Sequence, residues 1–200
     1  MTKDYFKNKA ASYEKESRRV SNVDNIANLI VERLDLEKGM HLLDFGAGTG
    51  LLLERVAPYV EKITAVDISK AMIEQLEQKR DGLHCDLAIL EVNLESSSID
   101  QTFDGIISSM TMHHVQHIDA MFEKFYSMLD EGGVIGISDL DKEDGSFHGE
   151  DTGVFHFGFE RDVIAESAIK AGFRDLKVED ASVISKPYGD FPVFLLTGRK

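Results

Sequence analysis

The stretch that most constrains the fold of this chain is HLLDFGAGTG, residues 41–50. Its first half is a short apolar run with the pattern of a buried strand, and glycines then occupy every second position, at Gly46, Gly48 and Gly50. Because glycine has no Cβ atom, such a loop turns tightly and lets another group lie against the backbone. The helical pattern of LLLERV follows at once. The sequence therefore predicts a strand–turn–helix unit whose turn is closely approached by a ligand.

The rest of the chain alternates strand-like apolar runs with helical patterns. Near-continuous apolar strands separated by helices predict a parallel sheet covered by helices on both faces. The last two strand-like runs are joined by the turn signal SKPYGD, which predicts an antiparallel hairpin. Polar caps at Ser21 and Ser69 are expected to begin two helices, and Gly172 is expected to end another. In such a sheet, ligands bind at the carboxyl ends of the strands.

The composition favours a single domain that acts on a small molecule. The 200 residues fit one domain, 1–200, and a hydrophobic fraction of 42% supplies a sizeable core. The lone Cys85 allows no intramolecular disulfide and forms no zinc-type spacing with the seven histidines, so no metal is expected. A charged N-terminus without the apolar segment of a signal peptide, and no run near the ~20 apolar residues of a membrane span, predict a cytoplasmic protein. A net charge of −14 argues against a nucleic-acid partner.

Two features of the first turn argue against a dinucleotide. Dinucleotide-binding turns have the pattern G-x-G-x-x-G, and here Leu51 takes the place of the third glycine. Asp44, just before the loop, would repel a pyrophosphate and attract a cation. Asp67 ends the second strand-like run, 17 residues after Gly50, where an acid can accept hydrogen bonds from both hydroxyls of a ribose. An adenosyl sulfonium with an amino-acid tail fits these features better than NAD.

The segments LLDFGAGTG, AVDIS and FDGIISSMTMHHV together resemble the class I S-adenosylmethionine-dependent methyltransferases. The opening YFKNKAASYEK and the later LDEGGVIGISDL are similar to segments of the small ubiquinone/menaquinone-methyltransferase-like branch, methyltransferase types 11 and 25. The resemblance covers almost the whole chain. It implies a Rossmann-like α/β fold with a seven-stranded, mostly parallel sheet of order 3-2-1-4-5-7-6, helices on both faces and an antiparallel last strand. It also implies S-adenosyl-L-methionine as cofactor and S-adenosyl-L-homocysteine as product.

The same resemblance implies which residues hold the cofactor. They are Asp44, Gly46, Ala47, Gly48 and Gly50 around the methionine part, Asp67 at the ribose, Ile68, Asn93 and Leu94 at the adenine, and Ser109 and Met110 on the other side. Many members have Asp near position 93, and the Asn93 side-chain oxygen can accept the same hydrogen bond without charge. Both acids also have a structural interpretation, Asp44 as a turn residue at a strand end and Asp67 as a helix cap beside Ser69.

Methyl transfer requires alignment of the acceptor, exclusion of water and, for some acceptors, removal of a proton. Four histidines follow strands at the expected rim: His113 and His114 after the fourth strand, and His148 and His156 after the fifth. We expect the base among His156, His114 and His113. The alternative for the adjacent pair is packing against a helix or the cofactor.

Two segments are expected to cover the site. Residues 141–159 are the least regular stretch, far longer than the ~2–6 residues of an ordinary strand–helix connection. We expect this stretch to be a substrate lid with His156 facing the acceptor; the alternative is that VFHFGF docks into the core. Residues 1–19 are expected to cap the cofactor through Tyr5 or Tyr13, and the alternative is an outer helix packed on the sheet.

The sequence thus predicts an S-adenosylmethionine-dependent methyltransferase that acts on a small-molecule acceptor by in-line transfer. One alternative is a module that binds the cofactor without catalysis, because the cofactor itself brings most of the chemistry. Another is a methyltransferase of a protein or RNA. A nicotinamide oxidoreductase is the third, and the glycine spacing and Asp44 argue against it.

Overall fold

The computed structural model describes residues 4–7, 9–15, 17–149 and 152–200. Parts of the two expected covering segments lie outside the described residues, namely 1–3, 8 and 16 of the N-terminal cap and 150–151 of the lid.

The architecture is a seven-stranded sheet. Its strands are β1 His41–Phe45, β2 Lys62–Asp67, β3 Asp86–Glu91, β4 Phe103–Ser109, β5 Leu129–Leu140, β6 Arg174–Lys186 and β7 Gly189–Arg199. They lie in the order β3-β2-β1-β4-β5-β7-β6. Strands β1 to β5 pair in parallel, and β7 pairs antiparallel with both β5 and β6. The predicted order and hairpin are confirmed, with a turn tighter than SKPYGD because Lys186 pairs directly with Gly189.

Helices cover both faces of the sheet: α1 Ser17–Arg33, α2 Leu51–Val56, α3 Lys70–Glu77, α4 Ile118–Met128 and α5 Arg161–Ala171. Successive strand side chains point to opposite faces, so Leu42 of β1 packs with α1 and α2, whereas its neighbour Leu43 packs with α4 and α5. Two buried apolar clusters therefore sandwich the sheet. None of the helices in the described part of the chain is long and apolar enough to cross a membrane.

Most of the predicted helix ends are confirmed, and one is wrong. Ser69 caps α3 by accepting the Met72 N–H at 3.4 Å, and Gly172 ends α5 with a φ of +112°. Helix α1, in contrast, begins at Ser17, so Ser21 lies inside it and caps nothing. The reason is that Val20 packs against the core one helical turn before Val23, which extends the apolar face of the helix past Ser21.

The topology brings three strand ends to one edge of the sheet. Asp44 of β1 pairs with Ile107 of β4, and Ser109 at the end of β4 pairs with Ser138 of β5. The chain then leaves β5 through the irregular segment 141–159. That segment folds back on itself, because the Lys142 N–H donates to the Phe159 carbonyl at 2.9 Å.

Candidate active site

A cavity of about 300 Å³ lies at the carboxyl ends of β1, β4 and β5. Its floor is formed by the glycine loop after β1 and the residues after β4. Its walls come from the N-terminal segment, through Phe6, Lys9 and Tyr13, and from the segment after β5, through Phe147 and His148. The cavity is therefore bordered by described residues of the two segments that the sequence predicts to cover the site, and their roles as cap and lid stay predictions.

The glycine loop leaves room for a ligand at one position. Its three glycines have φ values of +71°, +56° and +84°, in the left-handed region that other residues rarely adopt. A Cβ on Gly46 would lie 2.2 Å from the Thr111 side chain, and one on Gly50 would lie 2.5 Å from Leu76. None of the described residues comes within 4 Å of a Cβ built on Gly48, which lines the cavity. Gly46 and Gly50 are thus required by packing, whereas Gly48 leaves a space toward the cavity.

Asp44 is a buried acid without a partner. Its side chain lines the cavity, is 1% exposed, and its Oδ2 atom has no hydrogen-bond partner among the described residues. Burial raises the pKa of Asp44 to about 8, and the charge of Asp67 adds to this increase. Such a group is costly in an empty protein and is relieved by a cation or a hydrogen-bond donor placed beside it.

Asp67 lies behind the glycine loop and is not among the residues that line the cavity. Its Oδ2 accepts the Gly48 N–H and its Oδ1 accepts the Ser69 N–H, both at 2.8 Å. Burial raises the pKa of Asp67, and these backbone hydrogen bonds oppose the increase. On its outer side, the Ser69 hydroxyl donates to Asp4 of the N-terminal segment at 3.0 Å. Each carboxylate oxygen of Asp67 keeps acceptor capacity, so its role at a ribose stays a prediction.

The three residues expected at the adenine lie on the same rim, outside the cavity. Ile68 is 54% exposed, as a surface for a flat apolar ring would be, and Leu94 is buried. The Asn93 side-chain oxygen accepts the Glu95 N–H at 2.9 Å, which forms a local turn. Their roles at the adenine stay predictions.

Ser109 and Met110 line the cavity at the carboxyl end of β4. Met110 has a φ of +56°, an unusual value for a residue with a side chain, and its N–H donates to the Ser138 carbonyl at 2.9 Å. The Ser109 hydroxyl is buried and has no partner in the described part of the chain. Backbone strain and unpaired polar groups of this kind are typical of functional sites.

His113 is the best-oriented histidine of the cavity. Its Nδ1 donates to the Asp139 carboxylate at 2.7 Å, and its backbone N–H donates to the other oxygen of that carboxylate at 3.1 Å. Asp139, on β5, is fully buried and also accepts the Leu140 N–H at 2.7 Å. Because Nδ1 carries the proton toward Asp139, the Nε2 atom of a neutral His113 is an acceptor.

His114 and His148 stand beside His113. The His113 ring centroid lies 4.4 Å from that of His114 and 5.2 Å from that of His148. Burial lowers the pKa of both outer histidines to about 4, and the neighbouring His113 contributes to each shift. Both are therefore neutral near pH 7. Of the three, His113 alone has a carboxylate partner among the described residues.

His156 does not line the cavity. Its Nε2 is hydrogen-bonded to the Val115 carbonyl at 2.9 Å, and its backbone N–H donates to the His113 carbonyl at 3.2 Å. It ties the segment after β5 to the residues after β4, and its catalytic role stays a prediction.

Several residues of the site were not identified from the sequence. Asp139 has one local signal, an acid inside the apolar run GVIGISDL, where a buried charge needs a partner. Asn22, Thr49 and Thr152 line the cavity with buried side-chain oxygens that have no partner in the described structure. Lys186 reaches the cavity from the end of β6, which no local pattern indicates. Within the described residues no group of three or more His, Cys, Asp or Glu is arranged to hold a metal ion.

The chain is similar to known methyltransferases in sequence and in fold. Residues 42–133 match a family model described as a methyltransferase domain. A methyltransferase of Schizosaccharomyces pombe, itself described as uncharacterized, is 25% identical over 190 residues, which are 87% of this chain. The chain spans 65% of the length of that relative.

Solved structures share the fold. A methyltransferase of Haloferax volcanii, solved in complex with the activator Trm112 and itself described as putative, superposes with a TM-score of 0.82 at 16% identity, over 100% of this chain and 99% of that one. A phosphoethanolamine N-methyltransferase of Haemonchus contortus, solved with S-adenosyl-L-methionine, superposes with a TM-score of 0.70 at 19% identity, over 88% of this chain and 52% of that one.

Proposed function

Because this chain belongs to the class I S-adenosylmethionine-dependent methyltransferases, in the type 11/25 branch, we propose that it transfers a methyl group from S-adenosylmethionine to a small-molecule acceptor. This proposal is carried by two features found side by side at the cavity, the buried carboxylate of Asp44 and the open turn at Gly48. The buried Asp44 carboxylate has one oxygen without a partner among the described residues, and the left-handed turn that follows it has an open space at the Cβ position of Gly48. A ligand whose amino-acid end carries a positive charge would pair with the carboxylate and occupy the space at Gly48.

The residues at this rim fit the cofactor. Asp44 and the backbone of Gly46–Gly50 would hold the methionine part, and Ser109 and Met110 would face it across the cavity. Asp67 would accept hydrogen bonds from the ribose, and the exposed face of Ile68 would pack on the adenine. When bound, the cofactor supplies both the electrophilic methyl group and its leaving group.

The chain itself contributes enclosure, orientation and a proton acceptor. Phe6 and Phe147 wall the cavity and exclude water from the acceptor. Asp139 holds His113 with Nδ1–H toward the carboxylate, so that Nε2 can take a proton from an acceptor that must lose one. His114 and His148, with pKa values lowered to about 4, are weak bases near pH 7, and neither has a carboxylate partner among the described residues. We therefore place His113 first among the candidate bases.

A small acceptor is favoured over a macromolecule by the form of the cavity. A space of about 300 Å³ that is walled by two chain segments suits a metabolite. The net charge of −14 also disfavours a polyanion such as RNA.

The experiment that tests this proposal is transfer of a labelled methyl group. The protein is incubated with methyl-labelled S-adenosylmethionine and a cellular metabolite extract, and labelled products are identified by mass. We expect at least one labelled small molecule that is absent when Asp67→Ala replaces the wild type. Tight cofactor binding without any labelled product would instead support a non-catalytic binding module, and label found only in protein or RNA would contradict the small-molecule acceptor.

A further inference from the structure

The described charged residues that line the cavity are mostly basic, whereas the chain as a whole is acidic. The chain has 36 acidic and 22 basic residues, yet Asp44 is the one acid among the described residues that line the cavity. Three basic side chains line it: Lys9, Arg19 and Lys186. Since Asp44 retains its proton up to about pH 8, the described side chains that line the unliganded cavity carry more positive than negative charge.

Lys186 is the basic residue of the cavity whose contacts carry the inference. It lies at the end of β6, half-buried, with its Nζ donating to the Phe147 carbonyl and 3.7 Å from the Phe147 ring centroid. Among the described residues, the contacts of this ammonium group are with a backbone carbonyl and with the rings of Phe147, Tyr188 and Phe191, and none is with a carboxylate. A half-buried Lys with no counter-ion among the described residues is unusual where acids are so abundant.

Two polar groups of the same wall have unused hydrogen-bonding capacity. His148 lies next to Phe147, with ring centroids 4.8 Å apart, and its Nε2 is buried without a partner among the described residues. The Thr152 side chain is 7% exposed, and its hydroxyl is likewise buried and unpartnered there. Burial lowers the pKa of His148, and the nearby charges of Lys186 and Lys9 contribute to the decrease.

We propose that this wall binds an anionic group of the acceptor, a carboxylate or a phosphate, with Lys186 supplying the charge and His148 and Thr152 donating hydrogen bonds. The inference rests on the proposed function, because it names the substrate class for that site. An anion here provides the missing counter-ion and satisfies both buried polar atoms. Asp44, by contrast, serves a cationic group, so the cavity discriminates between its two ends by charge.

The proposal has a spectroscopic consequence. An anion beside His148 favours its protonated form, so the pKa of His148 rises when the site is filled. Inorganic phosphate and acetate are suitable probes, one for each chemical class, and they can be titrated separately. The His148 ring resonances are followed by NMR and assigned with the His148→Gln variant.

We expect one or both probes to shift the His148 resonances of the wild type and to raise the pKa of this residue. Lys186→Met, which keeps the length of the side chain and removes its charge, should weaken the probe at least about tenfold. Lys170→Met, an exposed position on α5, is the matched control and should leave binding unchanged. If neither probe perturbs His148, or if Lys186→Met binds the probe like the wild type, the proposal is wrong.

Two further readouts separate this proposal from the proposed function. Cofactor affinity is measured by calorimetry for Lys186→Met, and an equal loss there would overturn the proposal, because the wall would then hold the carboxylate of the cofactor. Labelled products from the metabolite extract are passed over an anion-exchange resin. Retained label supports an anionic acceptor, and label only in the unretained fraction overturns it. No label in any fraction counts against methyl transfer, while the NMR titration still decides the anion site.

Discussion

At the scale of single residues, Asp44 connects stability to function. Its pKa rises from 3.8 to about 8 on folding. Between these pH values the unfolded chain has lost the proton and the folded chain has kept it, so the folded state loses stability as the pH increases. Each pKa unit corresponds to about 1.4 kcal/mol. The free energy of unfolding of the unliganded protein is therefore lower at pH 8 than at pH 5. A bound cation that pairs with Asp44 would restore this stability.

Asp44→Asn keeps the size of the side chain and removes its ionisation. We expect the variant to have a higher free energy of unfolding at pH 8, by about 2–5 kcal/mol, and a flatter dependence on pH between 5 and 8. Urea denaturation at several pH values measures both. Glu123→Gln, an exposed position on α4, is the control. A variant as pH-sensitive as the wild type would show that Asp44 is ionised in the folded protein.

Asp139 acts through His113. In Asp139→Asn the amide group can donate to Nδ1, which places the proton of a neutral His113 on Nε2 and removes its acceptor. We expect turnover to fall by about 10²–10⁴-fold while cofactor affinity is unchanged, and the ¹⁵N shifts of His113 should report the changed tautomer. Asp104→Asn removes a carboxylate at the other end of β4 that accepts the His41 N–H at 2.7 Å, and should spare both properties. Parallel losses of turnover and cofactor affinity would argue for a purely structural role.

At the scale of elements, the glycine loop separates packing from binding. Gly48→Ala should lower the free energy of unfolding by only about 1–2 kcal/mol, the cost of a left-handed φ for a residue with a Cβ atom. No described residue lies near that Cβ atom. Gly46→Ala adds a clash with Thr111. We therefore expect Gly48→Ala to fold and to bind S-adenosylmethionine at least about tenfold more weakly, and Gly46→Ala to lose more stability. Thermal denaturation and calorimetry measure the two effects.

Gly39→Ala is the control for the glycine loop, because its Cβ also meets no neighbour and its φ is not positive. Wild-type affinity in a folded Gly48→Ala protein would contradict the close approach of the ligand to this turn.

The elements also show where sequence reasoning succeeds. The strands and most helix caps are local patterns, and Asp44 and Gly46 lie two positions apart in one such pattern, so their structure could be predicted. The start of α1 could not, because it depends on Val20 reaching the core. His156 likewise has a suggestive position in the sequence, yet its Nε2 is bonded to the Val115 carbonyl.

At the scale of the whole molecule, the site is assembled from distant parts of the chain. His148 and Asp139 meet His113, and Lys186 meets Phe147, only through the sheet order and the fold of the segment after β5. None of these contacts has a local signature. Composition alone does not reveal the local charge, because the chain has a net charge of −14 while the described lining of the cavity includes three basic side chains and one acid. The cofactor end of the site is thus predictable from one turn, and the acceptor end is a product of tertiary structure.

The central claim is that this rim binds S-adenosylmethionine through Asp44, the glycine loop and Asp67. Calorimetric titration of the whole protein near pH 7, in two buffers of different ionisation enthalpy, tests it most directly. The account predicts one site, release of close to one proton as the cation displaces the proton of Asp44, and an affinity loss of about 1.5–3 kcal/mol in Asp67→Ala. Absence of binding, or binding of NADH in its place with the same dependence on Asp67, would contradict it.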